Sequence, residues 1–346
     1  MRSLVLATLT GVALTSAWAT TPLQRVRVSS DVTTALSAVT LADEAVAEEE
    51  LASAAVSLVS LGTLPAAADL DGYAVLLDGK QLLSFDTTVQ LPGGLIAEPS
   101  DVVRYDGTAY TFAFQGRAVG LPRGVNVDAV AVRGTSLLLS FDISVDLGSL
   151  RVEDEDLVLY DGAAFSLVFD GSAAGVNPAL DLDAADYLAC NGHLLLSFDG
   201  SGVLGAVPFG KADVLEYGGP ASWEMAYSGP AHDPGWRGAD LDAVQVTVDL
   251  GGGPATVFPL TVLAAADKSS YGWASPQAYR AVRGGLGSLA TYGVDLTFEG
   301  TGTAVNDASL PAAGTGFWYL VKQGGCTQTS WQSALGSEPS RDAALP

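Results

Sequence analysis

Leu82-Leu83-Ser84-Phe85-Asp86 occurs three times in the chain, since the same five residues return at 138–142 and at 195–199. The phenylalanines of the three copies are 56 and 57 residues apart. A fixed period of this order indicates stacked or radially arranged supersecondary units. The pentapeptide is almost continuously apolar, which favours a β-strand that is buried on both faces.

Two other markers repeat together with the pentapeptide. Tyr-Asp-Gly occurs at 105–107 and 160–162 and degenerates to Tyr-Gly-Gly at 217–219, while an Asp-x-Asp or Asn-x-Asp turn opens each unit. Between the markers, apolar and polar residues alternate, as they do over 165–169. This alternation is typical of half-buried strands. Each unit therefore predicts four short strands, a to d. In the second unit they are expected at 127–133, 136–142, 156–160 and 164–169.

The segments that flank the three complete units supply the parts of a fourth. Residues 46–51 and 54–62 resemble worn copies of strands c and d, and 26–31 corresponds to strand b. Residues 241–248 form an extra strand a with no further strands after it. Pairing the extra strand with the N-terminal segment would remove the free sheet edges. We therefore predict an all-β chain in which 25–249 form a four-bladed β-propeller-like domain with Velcro closure and about 56 residues per blade.

One segment leaves an alternative open. Residues 42–60 contain Ala, Glu and Leu in proportions that also favour a short helix. If this segment were helical, the repeats would form an open stack or a β-sandwich instead of a closed ring.

A second, smaller domain is predicted after the repeats. Gly251-Gly252-Gly253-Pro254 is typical of a linker. Beyond it, 271–276 resembles the Trp-bearing second strand of a fibronectin type III module, 278–284 its Tyr-rich third strand, and 317–321 its aromatic penultimate strand. The resemblance covers about 255–324 and implies a small β-sandwich, although no clear last strand follows. Residues 325–346 predict an irregular tail.

Composition excludes several classes of function. The 346 residues include 39 acidic and 16 basic side chains, a formal net charge of -23. Such a surface repels phosphate, so we expect neither nucleic-acid binding nor attraction to anionic membranes. A hydrophobic content of 48% is sufficient for a large buried core.

The N-terminus has the pattern of a secretory signal. Arg2 precedes an apolar run of small residues, and Ala17-Trp18-Ala19 is an A-x-A cleavage site. We therefore expect 1–19 to be a signal peptide and the mature chain to be secreted, extracellular or at the cell surface. No later stretch approaches the length of a membrane span.

The two cysteines are not predicted to pair. Cys190 and Cys326 lie far apart and in different predicted domains. Cys190 falls in a strand pattern, so we expect a small buried apolar residue there.

The repeat unit resembles a class of secreted bacterial repeat proteins. Their units carry Ser-Phe-Asp, Tyr-Asp-Gly, Phe-Asp-Gly-Ser and Asp-Ala markers, and 169–172 matches the third of these. That class has no assigned activity, so the resemblance implies a repeat architecture and no chemistry.

The recurrent Asp-x-Asp turns are the strongest candidates for a binding site. Two carboxylates that are two residues apart in a turn can face one cation, and Ca²⁺ takes six to eight oxygen ligands. The alternative is that these aspartates cap turns by accepting hydrogen bonds from nearby backbone N–H groups. Acidic residues that lead into strand c, among them Glu98, Asp101, Asp156 and Asp213, repeat in the same way. The candidate metal ligands are Asp69, Asp71, Asp128, Asp181, Asp183, Asp240 and Asp242.

A loop between strands d and a supplies the candidate residues for organic ligands. Trp236 lies in Pro234-Gly235-Trp236-Arg237-Gly238, and we expect it to be exposed, with His232 in the same loop. Exposed tryptophans stack on sugars or peptides. The other tryptophans in strand patterns, Trp223 and Trp273, are expected in the core.

Catalytic motifs are absent from the sequence. There is no Gly-x-Ser-x-Gly elbow, no His-Glu-x-x-His and no phosphate-binding loop. His193 begins a predicted strand b and is expected to be a turn residue rather than a general base. The sequence therefore favours a non-catalytic binding or adhesion protein, stabilised by calcium if the turns bind metal, whose partner is an extracellular protein or glycan. The alternative is a secreted, glycosidase-like hydrolase that uses carboxylates at a propeller face.

Overall fold

A computed structural model describes residues 21, 23–76, 78–220, 222–248, 263–264, 270–272, 278–301, 304–323, 331, 340–341 and 345. The predicted signal peptide at 1–19, the predicted linker at 251–254, Trp273 and Cys326 lie outside the described residues.

Short strands are the commonest regular secondary structure of the described chain. The N-terminal segment holds β1 (Leu23–Ser29), β2 (Thr34–Ala35), β3 (Thr40–Leu41), β4 (Ala47–Glu50) and β5 (Ala55–Leu58). The first repeat holds β6 (Leu70–Val75), β7 (Gln81–Phe85), β8 (Val89–Gln90), β9 (Ile96–Ala97), β10 (Asp101–Tyr105) and β11 (Tyr110–Gln115). The second repeat holds β12 (Val130–Arg133), β13 (Ser136–Leu139), β14 (Val145–Leu147), β15 (Leu150–Val152), β16 (Leu157–Tyr160) and β17 (Phe165–Phe169).

The third repeat and the C-terminal part continue in the same style. The third repeat holds β18 (Ala184–Leu188), β19 (His193–Ser197), β20 (Gly202–Leu204), β21 (Val207–Phe209), β22 (Asp213–Tyr217) and β23 (Trp223–Ser228), and β24 (Ala243–Val248) follows it. The C-terminal part holds β25 (Leu263–Ala264), β26 (Ser270–Gly272), β27 (Ala278–Gly285), β28 (Leu296–Thr301), β29 (Ala304–Asn306) and β30 (Phe317–Gln323). The helical elements are α1 (Gly171–Ala174), α2 (Gly229–His232) and 3₁₀ turns at Gly116–Val119, Pro234–Gly238 and Leu286–Thr291.

Four antiparallel four-stranded sheets occupy the described part of 23–248. We name them sheet N (β24-β1-β4-β5), sheet I (β6-β7-β10-β11), sheet II (β12-β13-β16-β17) and sheet III (β18-β19-β22-β23), each from its first to its fourth strand. In sheet N, β24 pairs with β1 in antiparallel register, with Val244 opposite Val28. The end of the repeat region thus supplies the first strand of the sheet that begins the described chain.

The pentapeptides form the buried second strands, as predicted. Leu83, Ser84 and Phe85 have no exposed surface, and the matching residues of the other two copies are equally buried. Their apolar side chains contribute to two different core clusters, because each second strand lies between neighbouring sheets. Burial on both faces explains why this stretch lacks the alternation seen in the fourth strands.

Each pair of neighbouring sheets encloses an apolar cluster. One cluster joins sheets N and I, another joins I and II, and a third joins II and III. The fourth, which contains Val28, Leu195 and Trp236, joins sheet III back to sheet N. The first strands are also in contact one after another, β24 with β6, β6 with β12, β12 with β18, and β18 with β24.

The helical alternative for 42–60 is wrong. The segment forms β4 and β5, paired in antiparallel register. Its glutamates stabilise the pairing of β4 with β1. Glu48 Oε2 accepts a hydrogen bond from Arg27 Nε at 2.6 Å, and Glu50 forms an ion pair with Arg25 of β1. Cross-strand pairs of opposite charge stabilise antiparallel strands.

Strand polarity defines two ends of every sheet. First strands begin and second strands end at the same end, where a two-stranded hairpin also follows each second strand: β2–β3, β8–β9, β14–β15 and β20–β21. We call this the hairpin end. The opposite end carries the connections from first to second and from third to fourth strands, and we call it the turn end. The hairpins were not predicted, because their strands are only two or three residues long.

The C-terminal part contains two three-stranded sheets in the described residues. Their strand orders are β25-β26-β29 and β28-β27-β30. The strands predicted around 278–284 and 317–321 are present as β27 and β30. Val282, Trp318, Trp331 and Leu345 form an apolar cluster there. None of the helices in the described ranges is long and apolar enough to cross a membrane.

The structure corrects the prediction that Cys190 is an unpaired apolar residue. Cys190 is disulfide-bonded, and Cys326 is the one other cysteine in the sequence. Separation along the chain was a poor guide, because loop-closure entropy grows only slowly with loop length.

Replacing Phe141 by alanine tests the role of the pentapeptide. Phe141 is fully buried, so we expect Phe141→Ala to lower the free energy of unfolding by about 3 to 5 kcal/mol. Ile143→Ala is the control, because Ile143 lies two residues further on and is 47% exposed. Urea unfolding measures both, and equal losses would contradict the assignment of the pentapeptide to the core.

Candidate functional site

The predicted metal ligands lie together at the hairpin end. Each Asp-x-Asp or Asn-x-Asp turn directly precedes a first strand, and the first strands contact one another. None of the seven aspartates is exposed, and Asp128 and Asp242 retain only 9% of their surface. The structure therefore brings residues from four turns into one partly buried acidic group, which we call the acidic ring.

Within the acidic ring, the second residue of each turn interacts with polar side chains of a neighbouring turn. Asn126 Nδ2 donates a hydrogen bond to Asp71 Oδ2. Where the turns have aspartate at both positions, two carboxylates interact instead, Asp128 with Asp181 and Asp183 with Asp240. Asp242 interacts with Asp71 and, more weakly, with Asp69. We call the contact between two neighbouring turns a junction. At one junction an amide donates to a carboxylate, and at the other three an acid lies near an acid.

Burial and mutual repulsion raise the pKa of these carboxyls well above its usual range. Burial is the largest cause in every case, and neighbouring aspartates add to it for the second residue of each turn. At the outer, first positions the pKa rises to about 6 for Asp69, about 7 for Asp181 and about 6 for Asp240. At the inner, second positions it rises to about 8 for Asp71, about 10 for Asp128, about 10 for Asp183 and about 9 for Asp242.

Several carboxylate oxygens of the acidic ring lack a hydrogen-bond donor among the described residues. They are Asp69 Oδ1, Asp181 Oδ1, Asp240 Oδ1 and Asp242 Oδ2, all of them buried. The nearest basic group is Lys211, whose Nζ lies 3.4 Å from Asp240 Oδ2. Buried acceptors without donors are costly and are seldom left unexplained in native proteins.

The turn-capping role belongs to other aspartates. The aspartate that ends the second and third pentapeptides accepts a hydrogen bond from the backbone N–H at the start of a turn: Asp142 from Asn126 at 2.7 Å and Asp199 from Asp181 at 3.0 Å. Asp31 does the same for Asp240 at 2.7 Å. The pattern was available in the sequence, since an aspartate follows Ser-Phe in every pentapeptide.

The acids that lead into the third strands are turn caps as well. Asp156 Oδ2 accepts from Glu153 N at 3.0 Å, and its Oδ1 accepts from Gly171 N at 2.9 Å. Asp101 makes the equivalent pair of bonds in sheet I. These carboxylates fix backbone turns, which separates them from the acidic ring.

The side chains of the acidic ring are spread over four turns. Among the described residues, no three His, Cys, Asp or Glu side chains converge as ligands of a metal ion. A cation at a junction would therefore take at most two side-chain carboxylates and complete its shell with backbone carbonyls and water, which Ca²⁺ accepts readily. The prediction that all seven aspartates bind metal is not tested by this geometry.

Trp236 is buried, which corrects the prediction that it is exposed. Only 2% of its surface is accessible, and it packs in the cluster between sheets III and N. The loop brings the indole inwards because Gly229 leaves room for it: a Cβ on Gly229 would lie 2.9 Å from Trp236 Cγ. Trp223, Trp318 and Trp331 are also buried.

His232 joins two sheets. Its Nδ1 lies 2.8 Å from Oε1 of the buried Glu49 in sheet N, and Tyr227 donates to Oε2 of the same carboxylate at 2.8 Å. The rings of His232 and Tyr227 are stacked with centroids 4.7 Å apart. Sequence analysis missed Glu49, because nothing local marks a strand glutamate as the partner of residues about 180 positions away.

Comparisons with known proteins identify no family for this chain. No protein-family model and no curated protein matches the chain. Structures that resemble it include YCF48 bound to a D1 peptide, at 6% identity and a TM-score of 0.26, over 54% of this chain and 48% of that one. YCF48 from Cyanidioschyzon merolae gives 6% identity and a TM-score of 0.26, over 55% and 56%. The chain thus matches only about half of the length of either structure.

The contact between Asn126 and Asp71 suggests a substitution that would relieve a contact between two aspartates. Asp181→Asn would copy the pairing of Asp71 with Asn126, so we expect a higher melting midpoint at pH 7.5 in EDTA, by about 2 to 4 °C. A carboxyl with a raised native pKa holds its proton in the folded state but loses it in the unfolded state above about pH 4, so stability falls as the pH rises through that window. At pH 5 Asp181, with a pKa of about 7, is largely protonated and the gain should be small.

Thermal melts at the two pH values measure this difference. Asp146→Asn is the matched control, because the Asp146 side chain is 72% exposed. A loss of stability for Asp181→Asn at pH 7.5 in EDTA would show that the two carboxylates do not repel each other.

Trp236→Ala separates a core role from a ligand-binding role. Because Trp236 is buried between sheets III and N, we expect a loss of about 3 to 5 kcal/mol in the free energy of unfolding. Arg237→Ala, at the exposed neighbouring position, should leave the free energy within about 0.5 kcal/mol. Chemical denaturation measures both variants, and an unchanged Trp236→Ala would refute the core role.

Proposed function

We propose that the four sheets form one closed ring of four blades. The support is the cyclic sequence of contacts between the first strands and the four apolar clusters that join each sheet to the next. Pairing of β24 with β1 supplies the Velcro strand that such closure requires. In this arrangement the acidic ring surrounds the axis at the hairpin end.

The C-terminal part is proposed to be a fibronectin type III-like sandwich. The two three-stranded sheets have orders that suit this fold, with β25, β26 and β29 on one side and β28, β27 and β30 on the other. Secretion is proposed from the signal-like pattern of 1–19. An accessory sandwich beside a ring of blades suits a protein that works outside the cell.

The function that the geometry supports best is extracellular binding or adhesion, with calcium bound in the acidic ring. The observation that carries this proposal is the contrast between junctions: an amide meets a carboxylate once, whereas acids meet acids at the other three. A divalent cation between two facing carboxylates would cancel their repulsion and satisfy the buried oxygens. Extracellular Ca²⁺ is abundant enough for sites of modest affinity.

The hairpin end is the proposed contact face. It carries exposed apolar side chains on separate hairpins or beside them, of which Val203 is 65% exposed and Ile96 is 55% exposed. Val32 and Ile143 are exposed at equivalent positions, directly after the capping Asp31 and Asp142. Apolar groups that surround a polar centre suit a protein or glycan partner.

Melting the full chain in excess EDTA and in millimolar Ca²⁺ tests the cation. Ligand that binds only the folded state raises the midpoint by mass action, so we expect a rise of several degrees in Ca²⁺. Asp128→Asn combined with Asp181→Asn should reduce that rise, because both facing carboxylates of one junction are removed. Asp101→Asn, in a turn-capping residue, should keep the same Ca²⁺-dependent rise. An identical midpoint with and without Ca²⁺ would overturn the calcium proposal.

A panel of glycans and cell-surface proteins tests the binding function itself. We expect Ca²⁺-dependent binding that is lost in Val203→Asp and kept in Leu310→Asp, since Leu310 is 89% exposed but lies outside the four sheets. The absence of any binding at millimolar ligand would overturn the proposal.

A further inference from the structure

Glu216 is a buried carboxylate at the turn end of sheet III with an unusually complete set of donors. It is 5% exposed and lies in β22. Thr21 donates to it twice, from N at 3.1 Å and from Oγ1 at 2.6 Å, and Asn191 Nδ2 donates at 3.1 Å. The fourth partner is His193, whose Nδ1 lies 2.7 Å from Oε1. This network is remote from the acidic ring, which lies at the hairpin end.

The network favours the ionised form of Glu216 and orients the ring of His193. Burial raises the pKa of Glu216, but the hydrogen bonds from His193 and Thr21 outweigh burial, so its pKa is lowered overall. An ionised carboxylate only accepts hydrogen bonds, so Nδ1 of His193 carries the proton that points to it. In the neutral imidazole, Nε2 is then a free acceptor and a potential base.

His193 and Ser222 lie beside the same glycine, with no hydrogen bond between them among the described residues. A Cβ on Gly218 would lie 3.1 Å from His193 Nε2 and 3.0 Å from Ser222 Oγ, so both polar atoms flank the same point. His193, Gly218, Gly219, Pro220 and Ser222 line a cavity of about 250 Å³ that is open to solvent. A hydroxyl, an imidazole and a buried carboxylate therefore follow one another from the cavity inwards.

We propose that Ser222, His193 and Glu216 form an acyl-transfer site that accepts small esters in this cavity. Anchoring Thr21 would explain Glu216, but it does not require a histidine and a serine that line one solvent-open cavity. Nucleophile, base and orienting carboxylate recur on unrelated folds and are recognised by geometry rather than by sequence motif. The site is separate from the proposed calcium-binding ring, and either can fail without the other.

The chemistry needs no group beyond those present and water. Ser222 Oγ forms a bond to the ester carbonyl carbon while its proton moves to His193 Nε2, and that proton passes to the departing alkoxide as the C–O bond breaks. Water then attacks the acyl-serine and gives a proton to Nε2, which passes it to Ser222 Oγ as the acyl C–O bond breaks, so that the acid is released and Ser222 and His193 return to their starting states. Glu216 acts as a positioning residue that holds the imidazole tautomer. Proton transfer requires Ser222 to move towards the ring, as catalytic hydrogen bonds often tighten only when substrate binds.

A fluorophosphonate probe tests the nucleophile without knowledge of the natural ester. Serine attack forms an O–P bond and expels fluoride, so intact-mass analysis of the full chain should show one adduct, and peptide mapping should place it on Ser222. Ser222→Ala should abolish the adduct, and His193→Gln should slow its formation at least about a hundredfold. Ser53→Ala, at an exposed serine between β4 and β5 of another sheet, should label like the unmodified chain.

Gly218→Ala distinguishes this site from a merely structural network. Its methyl group would separate His193 from Ser222 while both side chains remain, so labelling should fall at least about tenfold with the melting midpoint nearly unchanged. Glu216→Gln should slow labelling and shift its pH profile, because the tautomer is no longer fixed. No adduct on the unmodified chain, or an adduct that persists in Ser222→Ala, would overturn the proposal whatever the outcome with Ca²⁺.

Discussion

The second strand of each sheet is buried on both faces, and the packing of the neighbouring strands and sheets depends on this burial. A strand buried on both faces needs a sheet neighbour on each side and an apolar layer above and below. Residues such as Leu83, Phe141 and Leu195 meet that need by contributing to clusters shared between sheets. One sheet alone cannot do so, because its second strand would present one apolar face to water. Repetition is therefore a physical requirement of this sequence, and the final strand β24 must return to the sheet that begins the described chain.

Repetition places polar residues as strictly as apolar ones. Turns that precede the first strands share one environment, so their aspartates converge wherever the first strands converge. An acid that is harmless in one turn becomes costly when four turns meet, and burial then raises the pKa of Asp128 to about 10. Asn126 shows one way of relieving that repulsion, with an amide that donates to Asp71. In capping aspartates such as Asp142, burial also raises the pKa, but the hydrogen bonds from backbone N–H groups oppose that rise.

The contact between sheets III and N differs from the other three in its polar content. It holds both histidines of the chain, each bound to a buried glutamate: His232 to Glu49, and His193 to Glu216. Asp186 adds a third buried carboxylate, whose Oδ2 accepts from Val246 N at 2.7 Å and whose pKa burial raises to about 7. Glu49 and Thr21, from the start of the repeat region, thereby contact residues near its end, beside the apolar cluster between sheets III and N. Hydrogen bonds fix the register of such a contact.

The sequence by itself determined the period, the four strands of each unit and the buried pentapeptides, because strand periodicity is a local property of neighbouring side chains. For 42–60 it left both strands and a helix open, and the tertiary structure decided for strands. The sequence also marked the aspartates that form the acidic ring. Tertiary structure alone decided which of the acids cap turns and which face one another, since that depends on residues in adjacent sheets. It likewise buried Trp236, bonded Cys190 in a disulfide, and placed Glu49 and Glu216 beside the two histidines. These are contacts between segments up to about 180 residues apart, and a one-dimensional pattern does not encode which distant residues will share a buried space.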